Sequence, residues 1–346
     1  RKTDDMVGPS EKLPVVLGTA VPSSNNTNLK TFGWELELMW KDRLNNGLNY
    51  SARFTLADSR TKITRYSNPS GLIDGFYAGK YVGEIWGYET IGIAQSDQEM
   101  AEHIGRLING GQNNLGQDWK AGDIMYKDLN EDGKIDAGSR TLQDHGDLKR
   151  IGNSTPRYNV GLELAADWKG FDFRAFFQGV LKHDYWGSGN FTGMLFGVRG
   201  GYSRWHTRGF KQHEDYFRAE PAGLEGHELP ANLDSYYPRP IFSDSSDGTS
   251  FGAKNQKVQS RYVQDASYIR LKNLQFGYNL PKKWIAKAGF SKVSVYFSGE
   301  KTDVGAVLNF AEGGSLSTDV GYNIESSEFD IGIRLQDFAL AGTLPY

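Results

Sequence analysis

The 346-residue chain has no cysteine, so neither a disulfide framework nor a thiolate metal site is open to it. It has no excess of charge of one sign: 39 basic residues stand against 42 acidic ones, net −3, which leaves no basic field to hold a phosphate backbone. Nucleic acid is not an expected partner. No apolar run approaches the roughly 18 residues that a spanning helix needs, and no signal peptide opens the chain at Arg1. If it enters a membrane, it must do so as strands. Catalytic spacings are missing as well. The histidines, among them His183, His206, His213 and His227, show neither H-x-x-x-H nor H-E-x-x-H spacing, and there is no G-x-S-x-G elbow or P-loop. Enzymatic activity is not expected.

Glycine and aromatic residues are plentiful instead, with 42 glycines and 13% aromatics, at a mean hydropathy of −0.55. Strands that alternate between lipid and lumen keep mean hydropathy low in this way, although a soluble all-β protein can show the same numbers.

Period-two alternation recurs along the chain and predicts strands. In GWELELMWKD (33–42), Trp34, Leu36, Leu38 and Trp40 share one face, and Glu35, Glu37 and Lys41 the other. GLNYSARFTLADSR (47–60) follows a short turn, predicting a hairpin. RYNVGLELAADW (157–168) and GFDFRAFFQGVL (170–181) predict a second. SRYVQDASYIRLKNLQFGYNLP (260–281) is answered by SKVSVYFSGE (291–300), with KKWIAKAGF as a short helix between them. Leu316 to Glu325 and FDIGIRLQD (329–337) alternate in the same style, with EGGS and SS as tight turns. Very long segments, 61–156 and 182–259, separate the tight turns. Short turns on one side and long loops on the other predict an all-β, antiparallel transmembrane β-barrel with long extracellular loops. The alternative is a soluble or surface-attached, calcium-stabilised, carbohydrate-binding all-β module. Trp34, Trp40, Tyr158, Trp168 and Trp284 fall near strand ends, where aromatic girdles meet a lipid interface, or where ordinary packing uses them.

DIMYKDLNEDGKIDAGSR (123–140) carries oxygen ligands at the spacing that wraps a calcium ion. Asp128, Asn130, Asp132, the Lys134 carbonyl and Asp136 take the alternate positions, and Gly133 the tight turn. Ser139 stands where a closing carboxylate is usual; water, Asp144 or Asp147 can substitute. A bound ion is expected to order the loop rather than to signal. The competing interpretation is an Asp- and Asn-rich turn that caps its own backbone. In the segment 183–258, Trp186, Phe191, Tyr202, Trp205, Tyr236 and Tyr237 are candidates to stack on sugar rings. Arg199, Arg204, Asp184 and Asp234 can hydrogen-bond hydroxyls or peptide groups there. The competing reading is that these aromatics pack the loop.

Four stretches then carry a family resemblance. DMVGPSEKLPVVLGTAVPSSNNTNLKTFGWELEL (5–38), YVGEIWGYETIGI (81–93), the 123–140 stretch continuing through IGNSTPRYNVGLELAADWKGFDFRAFFQGV (151–180), and SRYVQDASYIRLKNLQFGYNLPKKW with SVYFSGE (260–300) stand in family order. Together they resemble the C-terminal part of the barrel of a SusC-type TonB-dependent outer-membrane transporter (SusC/RagA family). The resemblance implies a 22-stranded barrel in a bacterial outer membrane, in contact with its lipid, and a plug domain that this chain does not contain. It also implies a SusD-type surface lipoprotein that captures glycans or peptides, and energy coupling through TonB by regions outside this chain. Residues 1–300 form the resembling portion; 301–346 read as further β-hairpin strands without matching motifs. About ten strands cannot close such a pore, so the chain is expected to be part of a larger protein or assembly.

Overall fold

The computed structural model describes residues 1–9, 23–187, 211–223, 225–240, 251–288, 290–299, 302–310, 315–323 and 328–336. The alternating segments become long antiparallel strands. β1 (Lys2–Pro9), β2 (Ser23–Arg43) and β3 (Asn49–Arg65) come first. Between β3 and the next long strand lie β4 (Glu84–Tyr88), β5 (Thr90–Ile93), α1 (Asp97–Arg106), β6 (Ile124–Tyr126) and β7 (Leu148–Asn153). β8 (Arg157–Trp168) and β9 (Phe171–Lys182) follow, then the short pair β10 (Asp184–Tyr185) and β11 (Gln264–Asp265). The chain continues with β12 (Tyr268–Asn279), α2 (Lys282–Ile285), β13 (Phe290–Gly299), β14 (Thr302–Phe310), β15 (Ser315–Asn323) and β16 (Glu328–Gln336). Ten strands form one sheet in the order β1-β2-β3-β8-β9-β12-β13-β14-β15-β16, with antiparallel pairing that follows chain order apart from the excursions. Among the described residues no helix is long and apolar enough to cross a membrane, which says nothing of a β-barrel.

The chain divides into two compact units: residues 1–32, 60–155 and 183–266, and residues 33–59, 156–182 and 267–346. The second is a strand wall. Its hairpins are those the sequence predicts. Leu44 N–H donates to Leu48 O at 2.9 Å to close β2 on β3. Trp168 pairs with Phe171 across a two-residue turn in which Lys169 (φ 49°) and Gly170 (φ 92°) are both left-handed. A turn of this hand matches the right-handed strand twist, and Gly170 suits it because a Cβ there would lie 2.8 Å from the Asn279 carbonyl. α2 sits in the KKWIAKAGF segment expected to be helical.

Register makes the wall two-faced. Phe54 pairs with Leu162 and Leu162 with Phe177, while Ala166 pairs with Phe173, Phe173 with Phe276 and Phe276 with Phe297, so two apolar rows on one face together cross β3, β8, β9, β12 and β13. Phe276 and Phe297 are exposed and the others half-buried; Leu36, Leu38, Val295 and the tryptophans Trp34, Trp40, Trp168 and Trp284 are exposed as well. An apolar surface of that extent is what a strand shows to lipid or to a partner. On the other set of positions Arg53 meets Glu37 at 2.9 Å, and Gln275 pairs with Arg174. The wall also holds a buried ion pair: the Arg157 guanidinium binds both oxygens of Asp58, the two side chains being 12% and 9% exposed.

The first unit differs from the expectation. Segment 61–156, predicted as a long loop, contains a core of its own: Ile73, Tyr88, Ile124, Tyr126, Ile135 and Leu148 are buried together with Tyr262, and Trp186, Tyr236 and Tyr237 of segment 182–259, also predicted as a loop, pack against it. Its apolar residues are irregularly spaced, so no period announced them. α1 is capped at its start, with Ser96 Oγ accepting from Glu99 N–H at 3.1 Å and Glu99 accepting from Gln95 N–H at 2.7 Å. Removing one partner of the buried Asp58–Arg157 pair leaves an uncompensated charge at a cost of about 3–5 kcal/mol. Asp58→Ala should therefore lower the unfolding temperature of the full-length protein, read by the temperature at which its gel mobility shifts, and Asp58→Ala combined with Arg157→Leu should recover most of the loss.

Candidate ligand-binding surface and calcium loop

In the first unit, β5 and β6 pair through Thr90↔Tyr126 and Ile93↔Ile124, and β4 pairs with β7. Their buried faces carry Tyr126 and Tyr88, whose rings lie 5.5 Å apart. Burial pushes the Tyr88 hydroxyl up to about 12 and that of Tyr126 well above its ordinary value. Both are packing residues that stay neutral. The Tyr126 hydroxyl donates to Lys254 O at 2.6 Å, tying segment 251–262 to β6.

That tie is reinforced by charge. Asp123, fully buried, accepts from Lys254 Nζ at 2.7 Å, Arg239 Nε at 2.9 Å and Asn255 Nδ2 at 2.9 Å. Lys254, also fully buried, donates further to the carbonyls of Gln117 and Asp118 and lies 4.6 Å from the centre of the Trp119 ring. Burial draws the Lys254 ammonium below its usual range against the opposing pull of Asp123. Gln112, equally buried, satisfies Tyr126 N–H and Ile124 O. Nothing in the sequence marks the pairing of Asp123 with Lys254, Arg239 and Asn255, because partners more than 100 positions apart show no spacing.

Three of the candidate sugar-stacking residues, Trp186, Tyr236 and Tyr237, pack partly buried against this same core. Tyr236 and Tyr237 meet edge to face at 4.8 Å, and Tyr237 stacks on Tyr262 at 6.2 Å. The Tyr236 hydroxyl accepts from Gln264 Nε2 at 2.9 Å, and its carbonyl accepts from Arg261 Nε at 3.2 Å and the Tyr262 hydroxyl at 2.8 Å. Their inner edges belong to packing; what they can offer a ligand is the exposed remainder. Phe191, Arg199, Tyr202, Trp205 and Arg204 lie outside the described residues. Asp184 is occupied in accepting from Asn153 N–H at 2.8 Å.

The predicted calcium ligands fall on one tight loop after β6. Asp128 accepts from Gly133 N–H at 2.8 Å, Asn130 from Asp132 N–H at 3.2 Å, Asp132 from Lys134 N–H at 3.1 Å, and Asp136 from Gly138 N–H at 2.7 Å. Gly133 has φ 80°, as the tight turn requires. The Lys134 ammonium lies 2.6 Å from Asp136 and 3.7 Å from Asp132, and Asp136 raises its pKa. Asp144 receives the Ser139 hydroxyl and amide, while buried Asp147 receives Leu129 and Asp136 amides at 2.7 and 2.8 Å. Burial raises the Asp147 pKa. Asp128 Oδ1 is buried and, among the described residues, has no hydrogen-bond partner. Among the described residues no group of three or more acidic or histidine side chains is gathered as a metal site.

A two-faced antiparallel strand wall, with an apolar face in part exposed and a separately folded unit inserted between its hairpins, defines a β-barrel-wall class of protein. No family model matches the chain. It is similar to TonB-dependent receptor P3 of Formosa agariphila, 25% identical over 348 residues covering 96% of this chain and 29% of that protein. TonB-dependent receptor P39 of the same organism is 21% identical over 318 residues, covering 84% and 28% respectively. Among solved structures, the RagAB peptide transporter matches with a TM-score of 0.53 at 19% identity, over 86% of this chain and 28% of that one. The RagAB peptide importer in its open-open state matches with a TM-score of 0.51 at 18% identity, over 86% and 27%. The chain thus spans less than a third of the length of the proteins it matches. Its likeness is to TonB-dependent outer-membrane transporters of the SusC type, as the motifs implied, and its fold is that of part of their barrel. The named relatives are receptors and transporters, in keeping with the absence of catalytic motifs.

Lys254→Met should leave Asp123 with fewer partners and loosen both segments it joins. Amide exchange in 112–126 and 251–262 of the full-length protein should speed up by at least tenfold, for a loss of about 1.4 kcal/mol or more, while exchange in β8 and β9 stays unchanged.

Proposed function

We propose that this chain forms part of the barrel wall, and the folded outer loops, of a TonB-dependent importer in a bacterial outer membrane. The cargo is an oligomer, a glycan or a peptide, captured together with a SusD-type surface lipoprotein. The observation that carries this reading is the apolar face running in register across β3, β8, β9, β12 and β13, exposed at Phe276 and Phe297, together with the exposed Trp34, Leu36, Leu38 and Trp40 of β2. In hydrocarbon only a sheet with every backbone group paired can present such a face. The names of the related receptors and of the RagAB structures support transport. The mechanism is binding and gating, with no covalent step. Trp186, Tyr236 and Tyr237, with Phe191, Arg199, Tyr202 and Trp205, are the residues proposed to meet the cargo. The aromatic faces favour a sugar, whereas the RagAB transporter that the fold resembles is a peptide transporter.

The full-length protein should require detergent for extraction and migrate faster on gels when unheated. Deleting its gene should abolish growth on one class of oligomer, glycan or peptide, as sole nutrient while sparing growth on the monomer. Purification from buffer alone as a monomer would overturn the membrane reading in favour of a soluble binding module.

Calcium is proposed as a staple of the Asp128–Asp136 loop, held by Asp128, Asn130, Asp132, the Lys134 carbonyl and Asp136. The buried, unpartnered Asp128 Oδ1 supports an additional cation there. The Lys134 ammonium competes for Asp136. In calorimetric titration with calcium, Lys134→Met should therefore bind more tightly than the natural protein and Asp128→Asn more weakly, with magnesium giving little heat. No heat from the natural protein or from Lys134→Met at millimolar calcium would refute the staple.

A further inference from the structure

The first unit carries a cationic cleft that the transport reading does not use. Lys30, Phe32, Lys62, Ile63, Thr64, Gly79 and Tyr81 line an open space of about 450 Å3. Three neighbouring strands converge on it. Lys2 of β1 pairs directly with Lys30 of β2, and the Thr31 and Thr61 hydroxyls meet at 2.9 Å beside Lys30 and Lys62. Lys62 forms an isolated antiparallel bridge with Tyr81. The Lys62 ammonium lies 5.6 Å and the Arg60 guanidinium 5.8 Å from the centre of the Tyr81 ring, and Phe32 meets Tyr81 edge to face at 6.4 Å.

Lys30 and Lys62 thus line the cleft, Arg60 and Lys62 lie against its Tyr81 ring, and Lys2 pairs beside Lys30. Among the described residues none of Lys2, Lys30, Arg60 or Lys62 has a carboxylate partner, and the adjacent Asp5 is engaged by Arg65 at 3.4 Å. Like charges directly opposite on antiparallel strands destabilise a sheet. A counter-anion would relieve that repulsion. Along β2 the same alternation runs Lys30, Phe32, Trp34, Leu36, Leu38, Trp40, and all six are exposed. A cation followed by aromatics and then by exposed aliphatic side chains is the order that a strand shows from headgroup to hydrocarbon.

We propose that this cleft binds the phosphate of a membrane-lipid headgroup, with Lys30, Lys62 and Arg60 as the phosphate-binding cations and Phe32 and Tyr81 against the headgroup's apolar body. The proposal rests on the barrel reading above, since only a chain standing in a membrane meets such a headgroup at this depth. Near a membrane surface each lysine contributes about 1 kcal/mol towards an anionic lipid, so losing two should weaken binding roughly 30-fold.

The test uses the full-length protein in dodecyl maltoside and two probes, lipid A and the same lipid after removal of its phosphates, with inorganic phosphate as competitor. The natural protein should retain lipid A and release the dephosphorylated form. Lys30→Gln combined with Lys62→Gln should bind lipid A about 30-fold more weakly while keeping the unheated gel mobility of the natural protein. Equal lipid A binding by the double variant, or equal retention of the dephosphorylated lipid, would overturn the site. So would displacement of lipid A by millimolar inorganic phosphate, which would assign the cleft to free phosphate. Unheated mobility separates the two failures: a protein that shows the barrel's mobility shift yet holds no lipid A sinks this site alone.

Discussion

The hydrogen-bond ladder between antiparallel strands is the constraint on which the rest of this chain depends. Side-chain direction alternates with a period of two, so a slip of one residue anywhere in the ladder would turn an apolar row onto the polar face. The pairs from Phe54–Leu162 through Phe276–Phe297 stay in step across five strands, even though β12 absorbs a register shift between Leu271 and Asn273. Because the ladder pairs the backbone of each interior strand, the apolar face can be exposed without exposing unpaired peptide groups. An all-β wall of this kind suits a membrane, and the same ladder leaves its hairpin connections free to carry other structure.

The inserted unit solves a different problem. It is built from short strands, one capped helix and irregular segments, too little regular structure to satisfy its polar groups by ladder alone. Buried side chains supply the missing partners: Asp123 answers Lys254, Arg239 and Asn255, and Gln112 completes Tyr126 and Ile124. Removing both charges in favour of apolar groups would cost little in principle, but removing one would not. Such a network has one satisfied arrangement, and it holds Tyr236, Tyr237 and Tyr262 in place by way of segment 251–262.

The wall was legible in the sequence because period two survives in every strand that has one apolar side. Trp34, Leu36, Leu38 and Trp40 announced β2, and Phe171, Phe173, Ala175 and Phe177 announced β9. The start of β2 was less legible, since Ser23 to Asn28 is polar on both faces and shows as strand only through its pairing with β1. α1 carried a readable cap in Ser96 and Glu99, but its single buried side chain, Met100, made no stripe. Aromatic residues at 186, 236 and 237 were visible as such. That their inner edges pack on Tyr262 and its neighbours was not, because the contacts join segments far apart in the chain.

The sequence by itself determined the strands, their faces, the tight turn at Lys169–Gly170 and the oxygen spacing from Asp128 to Asp136. All of these follow from local dihedral preference and from periods within one segment. Only the tertiary structure decided that the long excursions fold on a core, that Asp123 is the buried anion of that core, and that Lys134 turns its ammonium onto Asp136. It also decided that Lys30, Arg60 and Lys62 gather beside Tyr81. The physical reason is common to these cases: burial and electrostatic pairing depend on distance in space, and a one-dimensional pattern records only distance along the chain.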